Sequence, residues 1–396
     1  MRKRMVNYGL IVLLIVGIIV LVNADHITQT ISIVRGNLFP ESISQENIFP
    51  EKLSSETAVS GMSTEQNQKE EICFGMDVPI KYEENIDERN RINAVISIPD
   101  CIREKGFLKA TAKEKEISQD KVKKMLEQYY RCTYDLEDEY SMMYRGKDDS
   151  LLSFEKNTGG VYFMTDTYSL LRTAYNDQPR VEEYNRDLYA VNKDLENFTL
   201  DECDEKLYEM FAQFNMEGDF FINHRAMEYQ IMKEEAVVLH EDGSLTKPEH
   251  DWSDADNSYY CTVSQLCNGI PILPVDYFCY YEDILNRGAH TFVLNKERTV
   301  GFDVSRIYDI AYHNEYVQLL EFEEVLAEYR NSPKLMGDGY YTEITDISLR
   351  IMATAGNGQE YSMIPVWIFY GYWTDTEKAF KAPFAILING ITGDEL

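Results

Sequence analysis

The sequence predicts an α+β protein with an N-terminal transmembrane helix, followed by small antiparallel sheets that are each covered by a helix, in a duplicated arrangement. Three observations predict this fold class. A long apolar run lies close to the N-terminus. Downstream, segments with apolar residues at helical spacing are interspersed with segments in which every second residue is apolar. Finally, the order helix, strand, Asn-Gly turn, strand occurs twice in the second half of the chain.

The apolar run extends from Leu10 to Val22 and contains only Leu, Ile and Val apart from Gly17. Twelve such residues favour membrane insertion by roughly 4–7 kcal/mol. Basic residues at positions 2–4 keep the N-terminus on the cytoplasmic side. We therefore predict a signal-anchor over residues 1–24, localisation in the cell membrane with a single pass, and an extracytoplasmic C-terminal body. A small residue at Ala24 also fits cleavage by signal peptidase, so both outcomes stay open, with the uncleaved anchor favoured.

The composition is strongly acidic. The 68 acidic and 38 basic residues leave a net charge of −30, and this excess disfavours nucleic acid because phosphate binding needs Lys and Arg. Seven Cys residues are present without a C-x-x-C spacing, which excludes a zinc ribbon and a thioredoxin-like motif. Cys261 and Cys267 are close enough in sequence to pair across a hairpin, whereas buried unpaired thiols are the alternative.

The first part of the body begins after a polar segment. Residues 25–70 are rich in Ser, Glu, Gln and Asn, which is typical of a disordered stalk. An N-terminal α+β region over 71–198 follows. A helix is predicted from Ser118, because apolar residues recur there at i, i+3, i+4 and i+7. Alternation around Leu152 and around Val161 predicts a hairpin.

Two α+β units are predicted in the remaining chain, over 199–318 and 319–396. The first begins with a capping box, Thr199 with Glu202, and its helix is followed by strands on both sides of an Asn268-Gly269 turn. The second repeats this order with a helix, a strand, an Asn-Gly turn, an aromatic strand and a closing strand. The helix stripes predicted to be buried are Cys203, Leu207, Met210, Phe211 and Phe214 in the first unit, and Phe322, Val325, Leu326 and Tyr329 in the second.

Three segments of the second unit carry a family resemblance: 344–350 (ITDISLR), 363–371 (MIPVWIFYG) and 386–394 (ILINGITGD). They resemble the C-terminal part of uncharacterised surface proteins from low-GC Gram-positive bacteria. More distantly, they resemble PepSY-like modules and the YycH and YycI accessory proteins. The resemblance implies a membrane-anchored extracytoplasmic protein that regulates a sensor histidine kinase by protein contacts. Gly390 and Thr392 depart from the family pattern, which has Ala and Asp there, and the resemblance carries over no catalytic residue.

Motifs for chemistry are missing from the sequence. It contains no G-x-S-x-G, H-E-x-x-H, phosphate-binding loop or dinucleotide fingerprint. The glycine-rich segment 355–358 lies between predicted strands, which favours a hairpin turn over a phosphate site. His224, His240 and His250 lack the i, i+4 spacing of a metal pair, so we interpret them as exposed or hydrogen-bonded histidines.

Two weaker candidates remain. The oxygen-rich segment Asp251, Asp254, Asp256 and Asn257 could bind calcium but lacks the order of an EF-hand, and such residues also end secondary structure. The aromatic strand with Trp367, Phe369, Tyr370, Tyr372 and Trp373 could line a groove, although core packing is the stronger interpretation. We therefore assign no catalytic, cofactor-binding or metal residue.

The function predicted on this basis is non-enzymatic: a membrane-tethered extracytoplasmic regulatory or protein-binding module of the cell envelope. Its predicted partners are the membrane and another envelope protein such as a sensor kinase. An extracellular small-ligand-binding protein is the alternative, followed by an envelope hydrolase, for which location and abundant acidic residues are the sole support.

Overall fold

The computed structural model describes residues 78–396 except 101, 103–105, 116, 126–132, 147–149, 157–159, 176–184, 241–242, 274–289, 337–339, 356–359 and 376–379. The chain divides into Met1–Glu70 and Glu71–Leu396, and all described residues belong to the second unit. The predicted anchor (1–24) and stalk (25–70) lie outside the described residues. Within the described ranges, no helix is long and apolar enough to cross a membrane.

The predicted fold class is wrong: neither small helix-covered sheets nor a transmembrane helix is found among the described residues. Their strands form two large sheets of seven and nine strands, together with a two-stranded ribbon. The physical reason is long-range pairing, because each large sheet combines strands that are far apart in the sequence. Periodicity within a segment identifies a strand but does not identify its neighbour.

The elements in chain order are as follows. The strands are β1 (Lys81–Asn85), β2 (Asn90–Ser97), β3 (Phe107–Lys115), β4 (Thr133–Glu137), β5 (Ser141–Arg145), β6 (Leu151–Glu155), β7 (Val161–Met164), β8 (Phe220–Met227), β9 (Val238–Leu239), β10 (Leu245–Thr246), β11 (Ser258–Cys267), β12 (Ile270–Pro271), β13 (His290–Asn295), β14 (Thr299–Val304), β15 (Ile307–Val317), β16 (Tyr340–Ala355), β17 (Glu360–Asp375) and β18 (Phe380–Asn389). The helices are α1 (Gln119–Met125), α2 (Asp166–Ala174), α3 (Leu200–Phe214), α4 (Tyr229–Glu235) and α5 (Phe322–Arg330).

The seven-stranded sheet has the order β1-β2-β16-β17-β3-β15, and β18 also pairs with β17. β16 pairs with β17 along one of its edges. On the other edge, β3 pairs with the first residues of β17 and β18 pairs with the later ones. β2 and β16 are parallel, and the other pairs in this sheet are antiparallel. The predicted second unit therefore shares its sheet with strands from the predicted N-terminal region.

Helix α5 covers one face of the seven-stranded sheet. A row of apolar residues crosses four adjacent strands there: Ile96, Ile347, Phe369 and Ile386 are partners in register. The Tyr329 ring of α5 stacks on Phe369 with a centroid distance of 4.3 Å and an interplanar angle of 14°. Side chains of this size contribute about 1.5–3 kcal/mol each when fully buried, so this layer is a main source of stability.

The nine-stranded sheet has the order β12-β11-β13-β14-β7-β6-β5-β4, and β8 pairs with the other edge of β11. Its central row consists of His224, Cys261, Phe292, Phe302 and Phe163, which are partners in register on adjacent strands. Here too the strands come from both the predicted N-terminal region and the predicted first unit. The described strands therefore do not form a duplicated pair of units.

Helix α3 packs on this row. Its N-terminus is the predicted capping box, in which the Thr199 side chain accepts from the Glu202 N–H and the Glu202 carboxylate accepts from the Thr199 N–H. The buried residues of α3 are the predicted stripe, and those of α5 are the second predicted stripe. On the opposite face of the sheet, Tyr260 and Val293 pack in one cluster with residues of α2 and α4. This sheet thus lies between helical layers.

The β11–β12 hairpin joins the two large sheets. Its turn residues Asn268 and Gly269 have φ of 54° and 72°, as the predicted two-residue turn requires. The Gln265 side chain accepts from the Tyr308 N–H at 2.7 Å and donates to the Tyr308 carbonyl at 3.0 Å. The Asn268 side chain binds the Leu108 backbone in the same way, at 3.2 Å and 2.8 Å. Two amide side chains therefore act as strand partners across the junction.

We predict that Gln265→Ala lowers the free energy of unfolding by about 2 kcal/mol, because the Tyr308 N–H and carbonyl lose their partners in a buried position. Chemical denaturation of the full chain measures the change. Gln230→Ala on the exposed side of α4 is the matched control, and we expect it to shift stability by no more than about 0.5 kcal/mol. Equal effects of the two substitutions would contradict the role of the Gln265 amide.

Candidate functional site

The outer edge of β15 is the candidate site. β15 ends the strand order of the seven-stranded sheet, and among the described residues it pairs with β3 alone. Side chains from Ala311 to Tyr316 are exposed along this strand. At the other end of the sheet, β1 is short, with five residues against eleven in β15. An exposed edge strand presents backbone donors and acceptors to another chain.

The Gln265 contact fixes which backbone groups of β15 point outward. Since Gln265 occupies both the N–H and the carbonyl of Tyr308, these groups face away from β3. Backbone groups alternate between the two edges of an antiparallel strand, so those of Ile310 and Tyr312 face outward as well. No described strand pairs with them on that side. The outer edge therefore offers up to four backbone hydrogen bonds.

Two tyrosines flank an interruption of this strand. The register between β3 and β15 shifts between Tyr312 and Tyr316, and both side chains are about half exposed, at 49% and 51%. The Asn268 N–H donates to the Tyr312 hydroxyl at 3.2 Å. Burial raises the pKa of Tyr312, so its hydroxyl stays protonated at neutral pH. Tyr312 is thus anchored by the hairpin while part of its ring faces solvent.

Ion pairs cross between β3 and β15 beside this edge. Lys109 contacts Glu315 at 3.1 Å, and Lys115 contacts Asp309 at 3.4 Å. The acidic partners are about two-thirds exposed, at 64% for Glu315 and 63% for Asp309, so solvent screens both pairs and each contributes little to stability. Each pair cancels one positive and one negative charge, so the two pairs add no net charge beside the edge.

Strand β15 was not predicted from the sequence. The first six residues of β15, Ile307–Tyr312, are rich in Ile and Tyr, which favour strands. This local composition is the sequence feature from which the strand could have been predicted. The position of β15 at a sheet edge follows from the topology and has no local signature.

The three histidines considered as metal ligands are not brought together. His224 lies in the nine-stranded sheet, with Nε2 at 2.8 Å from Asp204 Oδ1. His240 Nε2 is 2.7 Å from Thr246 Oγ1, and His250 Nε2 is 3.0 Å from Asp256 Oδ1. Each therefore has a separate hydrogen-bond partner.

The oxygen-rich segment 251–257 uses its oxygens locally. The Asp256 carboxylate accepts from the Ser253 N–H at 2.8 Å, and the Asn257 amide oxygen accepts from the Tyr229 N–H at 2.8 Å. Within the described part of the chain, this segment is not among the groups whose ligand atoms converge. It caps a turn and a helix, which is the alternative interpretation given by the sequence.

The aromatic strand β17 contributes mainly to the core. Trp367 and Phe369 are fully buried and Tyr370 is almost so, whereas Trp373 is partly exposed. Trp367 and Phe369 face α5, while Tyr370 faces the opposite side of the sheet. The segment 356–359, which includes most of the glycine-rich turn, lies outside the described residues.

The cysteine pairing considered from the sequence is wrong, because Cys261 and Cys267 lie on the same strand, β11. Six residues of extended chain separate their Cα atoms by roughly 20 Å, which is too far for a disulfide. Cys261 instead contacts Cys203 of α3, with 3.7 Å between the sulfurs. With His224 these two cysteines form the converging group of possible metal ligands among the described residues.

Comparisons with known proteins give a fold but no function. No protein-family model matches the chain, and no curated protein matches it. A crystal structure of an uncharacterized protein from Eubacterium rectale ATCC 33656 is similar, with a TM-score of 0.57 and 16% sequence identity. The match covers 80% of this chain and 93% of that chain. At this identity the match shows a shared fold alone, and the PepSY-like resemblance stays a prediction.

The buried imidazole of His290 should make the stability of the fold depend on pH. Its Nδ1 accepts from the Ser305 N–H at 3.3 Å, and its Nε2 is buried without a partner among the described residues. Burial lowers the pKa of His290 to about 3, whereas an unfolded histidine titrates near 6.5. Protonation therefore favours the unfolded state as the pH falls from about 6.5 towards 3.

Between pH 7 and pH 5, we expect the wild type to lose about 2 kcal/mol more stability than His290→Gln. Urea denaturation at both pH values measures this difference. His240→Gln removes an exposed histidine and should follow the wild type. Parallel stability curves for wild type and His290→Gln would show that His290 is not kept neutral by the fold.

Proposed function

We propose that this protein is a non-enzymatic protein-binding module that adds an extended segment of a partner protein to the outer edge of β15. The observation that supports this most directly is the outward row of backbone groups at Ile310 and Tyr312, which has no strand partner among the described residues. Strand addition uses main-chain hydrogen bonds for affinity and flanking side chains for specificity.

The expected occupant is a basic segment. The chain has a net charge of −30, and two of the three lysines of β3, Lys109 and Lys115, are paired with Glu315 and Asp309. Long-range attraction therefore steers a positively charged segment towards this protein and repels an acidic one. In the added strand, successive side chains would project from opposite faces of the sheet. Lys and Arg would lie on one face, and the intervening apolar residues would contact the tyrosines on the other.

The affinity of such a complex should be moderate. Up to four backbone hydrogen bonds at about 0.5–1.5 kcal/mol each supply part of the binding free energy. The half-exposed rings of Tyr312 and Tyr316 supply apolar area on either side of the bulge. Ordering a flexible segment into an extended strand costs conformational entropy, which lowers the net binding free energy. These terms together favour a transient regulatory contact over a permanent assembly.

Burial of the aromatic strand favours protein binding over the small-ligand alternative. Trp367 and Phe369 are fully buried against α5, so their rings are occupied by the core. Trp373 is exposed in part, but it packs on Tyr340 and Phe384.

Site-specific photocrosslinking in living cells tests the proposal. With benzoylphenylalanine in place of Tyr316, we expect a discrete crosslinked product whose linked segment, identified by mass spectrometry, is extended and basic. The same probe in place of the exposed Tyr208 on α3 should not give this product, because it lies in the nine-stranded-sheet layer.

The decisive variant is Ile310→Pro, made in the protein that carries benzoylphenylalanine in place of Tyr316. Proline removes the outward N–H and is tolerated on edge strands, so we expect at least a tenfold loss of the product. Ile310→Ala keeps the N–H and is the matched control, which should retain most of it. Equal crosslinking of the proline and alanine variants would exclude strand addition at β15.

A further inference from the structure

Two buried thiols and an imidazole converge between α3 and the nine-stranded sheet. Cys203 lies on α3, and both Cys203 and Cys261 are fully buried. His224 and Cys261 are direct partners on β8 and β11, so their side chains project from the same face. A ring nitrogen of His224 and the two sulfurs all lie within 4.8 Å of one another.

We propose that Cys203, Cys261 and His224 bind one zinc ion, which links α3 to β8 and β11. This site lies in the nine-stranded sheet and does not depend on the proposed function of the β15 edge. Two thiolates and one imidazole are a soft ligand set that zinc prefers over calcium or magnesium.

The sulfur separation fits this metal. At a Zn–S distance of about 2.3 Å, two thiolates on a tetrahedral ion are roughly 3.8 Å apart. The Cys203 and Cys261 sulfurs are 3.7 Å apart. A ring nitrogen of His224 lies within 4.8 Å of both sulfurs, so all three side chains can reach one ion.

The histidine is oriented as a ligand should be. Its Nε2 is 2.8 Å from Asp204 Oδ1, and its Nδ1 is 3.3 Å from Asn192 Oδ1. Whichever nitrogen binds the ion, an oxygen acceptor stands beside the other one. Metal-binding histidines usually have such a partner, which fixes the ring and raises its basicity.

Charge also favours a cation. Asp201, Glu202, Asp204 and Glu205 all lie in the first two turns of α3, and they attract positive ions. The Asp204 side chain is 39% exposed, whereas that of His224 is 8% exposed. The Asp204 carboxylate therefore extends from the surface to the histidine ring, where it places a negative charge beside the site.

The elements that hold the ligands are rigid before binding. The capping box at Thr199 fixes the first turn of α3 directly before Cys203. β11 is paired on both edges, with β8 and β13. A preorganised site of this kind loses little conformational entropy when the ion binds.

Binding must displace protons from both thiols. Asp204 is a positioning residue when Nδ1 binds the ion, because Nε2–H then donates to its carboxylate and Asp204 acts on the ion through the His224 ring.

Zinc titration of the reduced full-length chain, in competition with a fluorescent chelator, tests the proposal. We expect one ion per chain at this site, with at least a hundredfold weaker binding in Cys203→Ala, Cys261→Ala and His224→Gln. Asp204→Asn should weaken binding by about 10–100-fold. Cobalt substitution gives a second readout, since thiolate-to-cobalt charge-transfer absorption should disappear in the two cysteine variants.

Cys267→Ala is the matched control, because it removes a buried thiol from the same strand outside the cluster. It should bind zinc as tightly as the wild type, and the four remaining cysteines are present in every variant. Circular dichroism of the metal-free variants checks that they fold. Wild-type affinity in folded Cys203→Ala would overturn the proposal. So would a Cys203–Cys261 disulfide found by mass spectrometry in freshly isolated, unreduced protein, because the pair would then be a redox crosslink.

Discussion

The architecture depends on the junction at the end of one hairpin, where two side-chain amides act beside a backbone bridge between Ile272 and Ile351. Gln265 and Asn268 bind the backbones of Tyr308 and Leu108 as a neighbouring strand would. An amide side chain offers one donor and one acceptor face, which match the paired N–H and carbonyl of a strand residue. The nine-stranded sheet is thereby joined to the seven-stranded sheet without a continuous ladder. Beyond Tyr308, none of the described strands pairs with the outer edge of β15, so the same contact defines where the candidate site begins.

Local structure was largely predictable from the sequence. The capping box of Thr199 and Glu202 and the buried stripe of α3 follow from residue type and spacing within a few residues. The Asn268-Gly269 turn follows from the need for two positive φ values. These features depend on interactions between neighbours in sequence, and therefore the sequence alone contains the information that determines them.

The assembly of the strands was not predictable in this way. β2 pairs with β16, so Ile96 and Ile347 become neighbours although about 250 residues separate them. A single sequence contains no signal for such a pairing, and the apparent duplication of helix, strand and turn favoured the wrong grouping. The edge status of β15 and the convergence of Cys203, His224 and Cys261 depend on these pairings, so neither could be found from spacing. The intervals of 21 and 37 residues between these three ligands match no metal motif.

Strand β11 connects the two proposed sites physically. It holds Cys261 near its middle and Gln265 four residues further on, roughly 13 Å along the strand. An ion bound at Cys261 would fasten α3 to this strand, while Gln265 fastens the strand to the start of the β15 edge. A strand paired on both sides cannot shift at one point and stay in register at another. Because of this constraint, tighter attachment of α3 limits the motion of the hairpin that orients Tyr308 and Tyr312. The zinc site and the edge are therefore separate in chemistry but share one rigid element.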